Sequence, residues 1–198
     1  MFAAFLRLRV WLVASVLVLG SGLASAGPII YTYFGTASGS LANQSFTNAS
    51  FLITAQADTT NVLPWVNATV QNTHSSVSIA LAGFGTFAIT EPSHTWVANN
   101  CCMGIGANLS SNWLTLGSGI GTYGLTTNFG PFFDAAANTD QFVDVATSLG
   151  ALTISPLANG ATFQATLQAA VVPLPGALVM MLAGLAGIAA VTARRRRG

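Results

Sequence analysis

Between Gly27 and Val172 apolar and polar residues alternate with a period of two, in stretches broken by Gly, Asn, Ser and Thr. Val66, Ala68 and Val70 alternate with Asn67, Thr69 and Gln71, and Val77, Ile79 and Leu81 with Ser76, Ser78 and Ala80. Phe51, Ile53 and Ala55 share one face, as do Phe87 and Ile89. The cleanest case sets Phe163, Ala165, Leu167 and Ala169 against Thr162, Gln164, Thr166 and Gln168. Successive strand side chains point to opposite faces, so the pattern predicts strands that bury one face and wet the other. No stretch keeps a 3.6-residue period, and helix is expected to be scarce here. Short strands between Gly-rich turns predict a mainly β domain over residues 27–172, an antiparallel β-sandwich or jelly roll. A segment of that length can bury a sizeable core. From Asn99 to Ala137 glycine is dense and strands are hard to place.

Both ends depart from this pattern. Residues 1–26 carry Arg7 and Arg9, an apolar run from Val10 to Leu19, and then Gly22-Leu23-Ala24-Ser25-Ala26. That is the build of a secretory signal helix with a small-x-small site at Ala24 and Ala26, and it predicts cleavage by signal peptidase before Gly27. At the other end Leu174 to Ala193 is uncharged, about the 20 residues that one transmembrane helix needs. Arg194, Arg195, Arg196 and Arg197 follow at once. Arginines so placed stay cytoplasmic, so the main domain is expected on the outer side of the membrane.

Charge sharpens the division. Charged residues are 6% of the chain, against roughly 25% in ordinary soluble domains. The basic residues all lie at the two ends, whereas Asp58, Glu91, Asp134, Asp140 and Asp144 lie between. The segment from Gly27 to Val172 therefore has no Lys or Arg and a formal charge of −5. Without cations it lacks the main source of nucleic-acid affinity, and it has no Arg clamp for carboxylate or phosphate substrates. No nucleic-acid partner is expected.

Candidate chemistry is sparse. Cys101 and Cys102 are the only cysteines. In an oxidising compartment they could bond to each other through a strained eight-membered ring, stay free, bridge two chains or bind a metal. A catalytic cysteine would need His74 or His94 as its base. Pro92 marks Thr90-Glu91-Pro92-Ser93-His94 as a solvated loop, and His74 reads as a hairpin residue. Glu91 and His94 lack the further ligands that a metal site requires. Gly119-Ile120-Gly121-Thr122-Tyr123-Gly124 matches G-x-G-x-x-G as a string, but it lacks the strand before and helix after that dinucleotide binding needs. Asp134, Asp140 and Asp144 do not have the calcium-loop spacing. Sequons occur at Asn43, Asn48, Asn67 and Asn108, as an Asn-, Ser- and Thr-rich chain produces by chance. No metal, cofactor or catalytic residue is expected. Trp65, Trp96, Trp113 and Tyr123 are either core residues or a platform for stacking sugars.

Just before the apolar run stands Val172-Pro173-Leu174-Pro175-Gly176. Alternating prolines cannot pair in a sheet and hold the chain extended and accessible. This Pro motif, the apolar run and the Arg cluster, in that order, resemble the PEP-CTERM sorting signal of Gram-negative bacteria. Val-Pro-Leu-Pro is similar to the variant class in which Leu replaces the central Glu, although Gly176 stands where that class usually has Ala. The resemblance implies that residues 173–198 are a sorting signal processed by exosortase, a membrane-embedded cysteine transpeptidase, in bacteria that make exopolysaccharide. Tyr33–Val62 and Thr147–Leu152 are similar to β domains often found before such tails, for which no activity is implied. The expected function is a non-enzymatic envelope or extracellular-matrix protein at the cell surface, associated with exopolysaccharide. A carbohydrate-binding adhesin using exposed aromatics is the rival expectation. A secreted hydrolase would need two carboxylates facing each other in a cleft.

Overall fold

The computed structural model describes residues 27–65, 69–108, 111–117, 120–139 and 141–169. The expected signal peptide and its cleavage site before Gly27, the Val172–Gly176 motif, the apolar run and Arg194–Arg197 fall outside these residues or at their margin. The two expected helices lie there as well.

The alternation forms ten strands. They are β1 (Pro28–Leu41), β2 (Gln44–Trp65), β3 (Thr69–Leu81), β4 (Gly85–Ile89) and β5 (His94–Ala98), then β6 (Cys102–Asn108), β7 (Ser111–Leu116), β8 (Phe129–Asp134), β9 (Val145–Thr147) and β10 (Gly150–Leu167). Every pairing between them is antiparallel, and no helix occurs among the described residues. The protein is mainly β, as the period-two pattern predicts.

Four strands are longer than expected: β1 has 14 residues, β2 has 22, β3 has 13 and β10 has 18. They lie side by side as β10–β1–β2–β3. Their register places Phe163, Tyr33, Ile53, Ile79 and Phe87 in one row, all buried. The next row, Thr162, Phe34, Leu52, Ala80 and Thr86, faces outward. Phe34 and Leu52 there are 39% and 40% exposed. Each large apolar side chain taken out of water stabilises the fold by about 1.5–3 kcal/mol, and a one-residue slip would exchange the two rows. Register is thus fixed by burial. Strand β2 accommodates its length by irregularities around Ala57–Val62. There the backbone N–H and hydroxyl of Thr60 donate to Asp58 Oδ1 at 2.8 and 2.6 Å.

The hydrogen-bonded path returns on itself. One half of β3 pairs β4, β4 meets β9 at Ile89↔Thr147, and β9 pairs β10. Thr90 N–H donates to Ala146 C=O and Ser148 N–H to Ala88 C=O, both at 2.9 Å, and these two bonds make the β4–β9 seam. The other half of β3 pairs β5, followed by β6 and β7. Thr115 of β7 bridges to Asn138, a few residues beyond β8, which pairs β10. Two circuits therefore share β10, β1, β2 and β3, and the buried apolar residues other than Trp96 form one cluster.

Several local expectations change. Leu167 is 38% exposed and Ala169 is also exposed, because pairing with β8 ends at Ala165↔Phe129 and β10 itself ends at Leu167. Val70 is half-buried, whereas the polar Asn72 two residues on is fully buried. The stretch from Asn99 to Ala137 contains three ordered strands, β6, β7 and β8. Glycine obscures their alternation for a steric reason. A Cβ on Gly104 would stand 2.2 Å from Leu114 O and 3.0 Å from the Trp96 ring, so this strand position tolerates no side chain.

Candidate functional site

Strand β3 turns Asn72 and His74 inward and Gln71 and Thr73 outward. This parity builds two polar groupings, one inside and one on the surface.

Inside, a chain of hydrogen bonds links β1, β3 and β5. The polarity that satisfies every member runs from the Ser93 hydroxyl, which donates to His74 Nδ1 at 2.9 Å. His74 Nε2–H then donates to Thr95 Oγ1 at 2.9 Å. The Thr95 hydroxyl donates to Tyr33 Oη at 2.8 Å, and Tyr33 O–H donates to Gly104 C=O at 3.2 Å. Beside it Asn72 Nδ2 donates to Tyr31 Oη at 2.8 Å, and Tyr31 O–H donates to Leu125 C=O at 2.7 Å. Burial, with His94 nearby as a lesser cause, pushes the His74 imidazole down to about 3. Burial also lowers His94 and raises the phenols of Tyr31 and Tyr33. Both histidines are therefore uncharged at neutral pH.

Neither histidine is the solvated loop or hairpin residue that its sequence context predicts. His74 lies within β3, and His94 opens β5 with only 7% exposure. Pro92 does mark the β4–β5 connection, but that connection packs onto the sheet. The Ser93–His74 contact has the order of a nucleophile and base, yet a base of pKa about 3 is too weak to serve at neutral pH. Both ring nitrogens are held by hydroxyls, so no carboxylate orients the ring. The chain is a structural core element.

Outside, an open depression of about 340 Å³ is lined by Trp65, Gln71, Thr73, Pro92, Ser93, His94 and Ala107. Trp65 is half-buried, and its ring stands 5.4 Å from that of His94 at 87°. His94 Nε2 has no hydrogen-bond partner among the described residues. Of the other three aromatics considered as a platform, Trp113 and Tyr123 are core at 1% and 7% exposure, whereas Trp96, opposite Gln71 in the register, is buried at 5% outside the core cluster. Trp113 packs on Phe142, and Tyr123 stacks on Phe129 with ring centroids 4.5 Å apart.

The remaining candidates are dispersed. Cys101 and Cys102 are joined to each other by a disulfide in the β5–β6 turn. Glu91 accepts from Ala146 N–H at 2.6 Å, at the β4–β9 seam. The two Asp134 oxygens accept from Gly117 N–H and Ala136 N–H. Thr153 donates to Asp144, and Asp140 lies outside the described residues. No group of three metal-ligating side chains converges among the described residues. Tyr123 and its neighbours lie between β7 and β8, so the glycine string is not followed by a helix. Asn43 and Asn48 are exposed with positive φ, in or beside the β1–β2 turn. Of the whole set, sequence reasoning missed the convergence of Trp65, Gln71, Thr73 and His94. No signal in the sequence marked it, because Gln71–His74 are all polar and alternation shows no face there.

Comparison with protein families, with curated proteins and with solved structures finds no match to this chain.

Proposed function

We propose that this chain is an exported, non-enzymatic envelope or extracellular-matrix protein with a sandwich-like mature β domain. Residues 1–26 direct export, and the tail holds an inner-membrane intermediate until exosortase acts at Val172–Gly176. The mature domain then resides at the cell surface or in an exopolysaccharide matrix. One observation carries this reading: the order of the Pro173–Pro175 motif, an uncharged run from Leu174 to Ala193, and Arg194–Arg197. A plain anchor needs the apolar run and the arginines but not the motif. The folded domain is compatible with a non-catalytic role, since Asp58, Glu91, Asp134 and Asp144 all accept hydrogen bonds from their own chain.

A processing enzyme must bind an extended strand residue by residue, and proline's fixed φ lowers the entropy lost on ordering it. Changing Pro173 and Pro175 to alanine in cells that carry an exosortase should leave a membrane-bound precursor of higher mass. Mass spectrometry of the released protein, beside a strain lacking exosortase, reads the result. If wild type stays full-length and membrane-bound in both strains, the sorting assignment fails.

A further inference from the structure

The depression beside Trp65 combines an indole at its wall with the Gln71 amide and the Thr73 and Ser93 hydroxyls along its lining. We infer that the depression between Trp65, Gln71, Thr73 and His94 is a binding subsite for an uncharged sugar residue. Trp65 supplies the stacking face, and the Gln71 amide and Thr73 hydroxyl meet ring hydroxyls.

The elements explain how such a site arises. Thr73 stands opposite His94 in the β3–β5 register, and Gln71 lies one pleat away on the same outward face. Trp65 ends β2 immediately before β3 begins. Its perpendicular contact with His94 occupies at most one face of the half-buried indole, and an indole face can take the C–H face of a pyranose. At about 340 Å³, the depression is at the small end of ligand sites, which run from about 300 to 1,000 Å³. His94 lines it at 7% exposure and backs the Trp65 ring.

Charge selects the class of ligand. Residues 27–172 contain no Lys or Arg, so a uronate or sulfated sugar would find no cation here and would meet a domain of net negative charge. A peptide adding as a strand would need a free backbone edge. Around the depression Gln71 and Asn72 pair with Leu63 and Val62 on one side and with Trp96 and Thr95 on the other. Strand β5 is likewise paired with both β3 and β6. Only side chains remain to bind, and they are those that recognise hydroxyls.

The site deepens the proposed association with exopolysaccharide and rests on that reading only for the source of the sugar. The test uses the full-length protein in detergent against surfaces coated with uncharged glucans, mannans and galactans, and against their uronate counterparts. At least one uncharged glycan should bind and shift the indole fluorescence. Trp65→Ala should weaken that binding tenfold or more, Trp65→Phe should restore part of it, and Phe133→Ala, at an exposed site elsewhere, should change nothing. Circular dichroism checks that each variant is folded. The inference is overturned if folded wild type binds no uncharged glycan, if uronates bind as well, or if Trp65→Ala binds like wild type. A chain that exosortase processes but that binds no glycan loses this subsite and keeps the proposed function. Binding without processing has the opposite meaning.

Discussion

Acid should unfold this domain at a pH set by its histidines. His74 has an ordinary pKa of 6.5 and is lowered to about 3 by burial. Between those values the unfolded chain binds a proton that the folded one refuses. Stability contributed by the neutral ring is therefore complete above pH 6.5 and is lost as pH falls towards 3. With the folded ring still neutral, the loss from pH 7 to 5 is about 2 kcal/mol, and to pH 4 about 3 kcal/mol. His94 shifts in the same direction and adds to the slope. Asp58, lowered by its hydrogen bonds to Thr60, loses its contribution only below its ordinary value of 3.8, so the upper part of the window belongs to the histidines. Urea unfolding followed by tryptophan fluorescence at pH 7, 6, 5 and 4 measures the slope. His74→Gln should be less stable at pH 7, because its amide cannot reproduce both ring bonds, yet its stability should fall less between pH 7 and 5. A wild-type stability that is flat across that interval would refute the buried, neutral assignment.

Two further perturbations probe the packing. Gly104→Ala forces a Cβ to within 2.2 Å of Leu114 O, so β6 and β7 must separate. A loss of about 1–3 kcal/mol, typical of overpacking, is expected in thermal or urea unfolding. Tyr33→Phe removes the hydroxyl that joins Thr95 to Gly104 C=O and should cost about 1–3 kcal/mol, whereas Thr166→Val at an exposed position of β10 should cost well under 1 kcal/mol in the same assay.

The alternation identified the inward faces of β2, β3 and β4 residue by residue: Phe51, Ile53 and Ala55, then Val77, Ile79 and Leu81, then Phe87 and Ile89. Those positions are apolar because water is excluded from them, and composition alone reports it. Leu167 misled because the pattern continues past the point where β8 stops covering β10. Strand β6 was hidden because Gly104 and Gly106 occupy positions set by close backbone approach to β7, with no side chain to show a face. The polar core was the least legible part. Asn72, His74 and Thr95 look like surface residues, and their partners are far away in sequence: Tyr31 lies 41 residues from Asn72, and Tyr33 lies 62 from Thr95. Only the β1–β2–β3–β5 register brings them together. The Trp65 depression was illegible for the same reason, since Thr73 meets His94 through strand pairing.

Closure of the sheet has a consequence for life at high density. A protein displayed in many copies beside one another risks pairing through open strand edges, and most β proteins discourage this with lysines and other charges along those edges. Residues 27–172 have no lysine to use. Here β1 and β2 are flanked on both sides, and β3 and β10 are each covered by two shorter strands on the side away from the central pair. The least protected edges belong to β7 and β8, each only six residues long. Geometry thus shields the long strand edges from pairing between copies, where charge would usually do so.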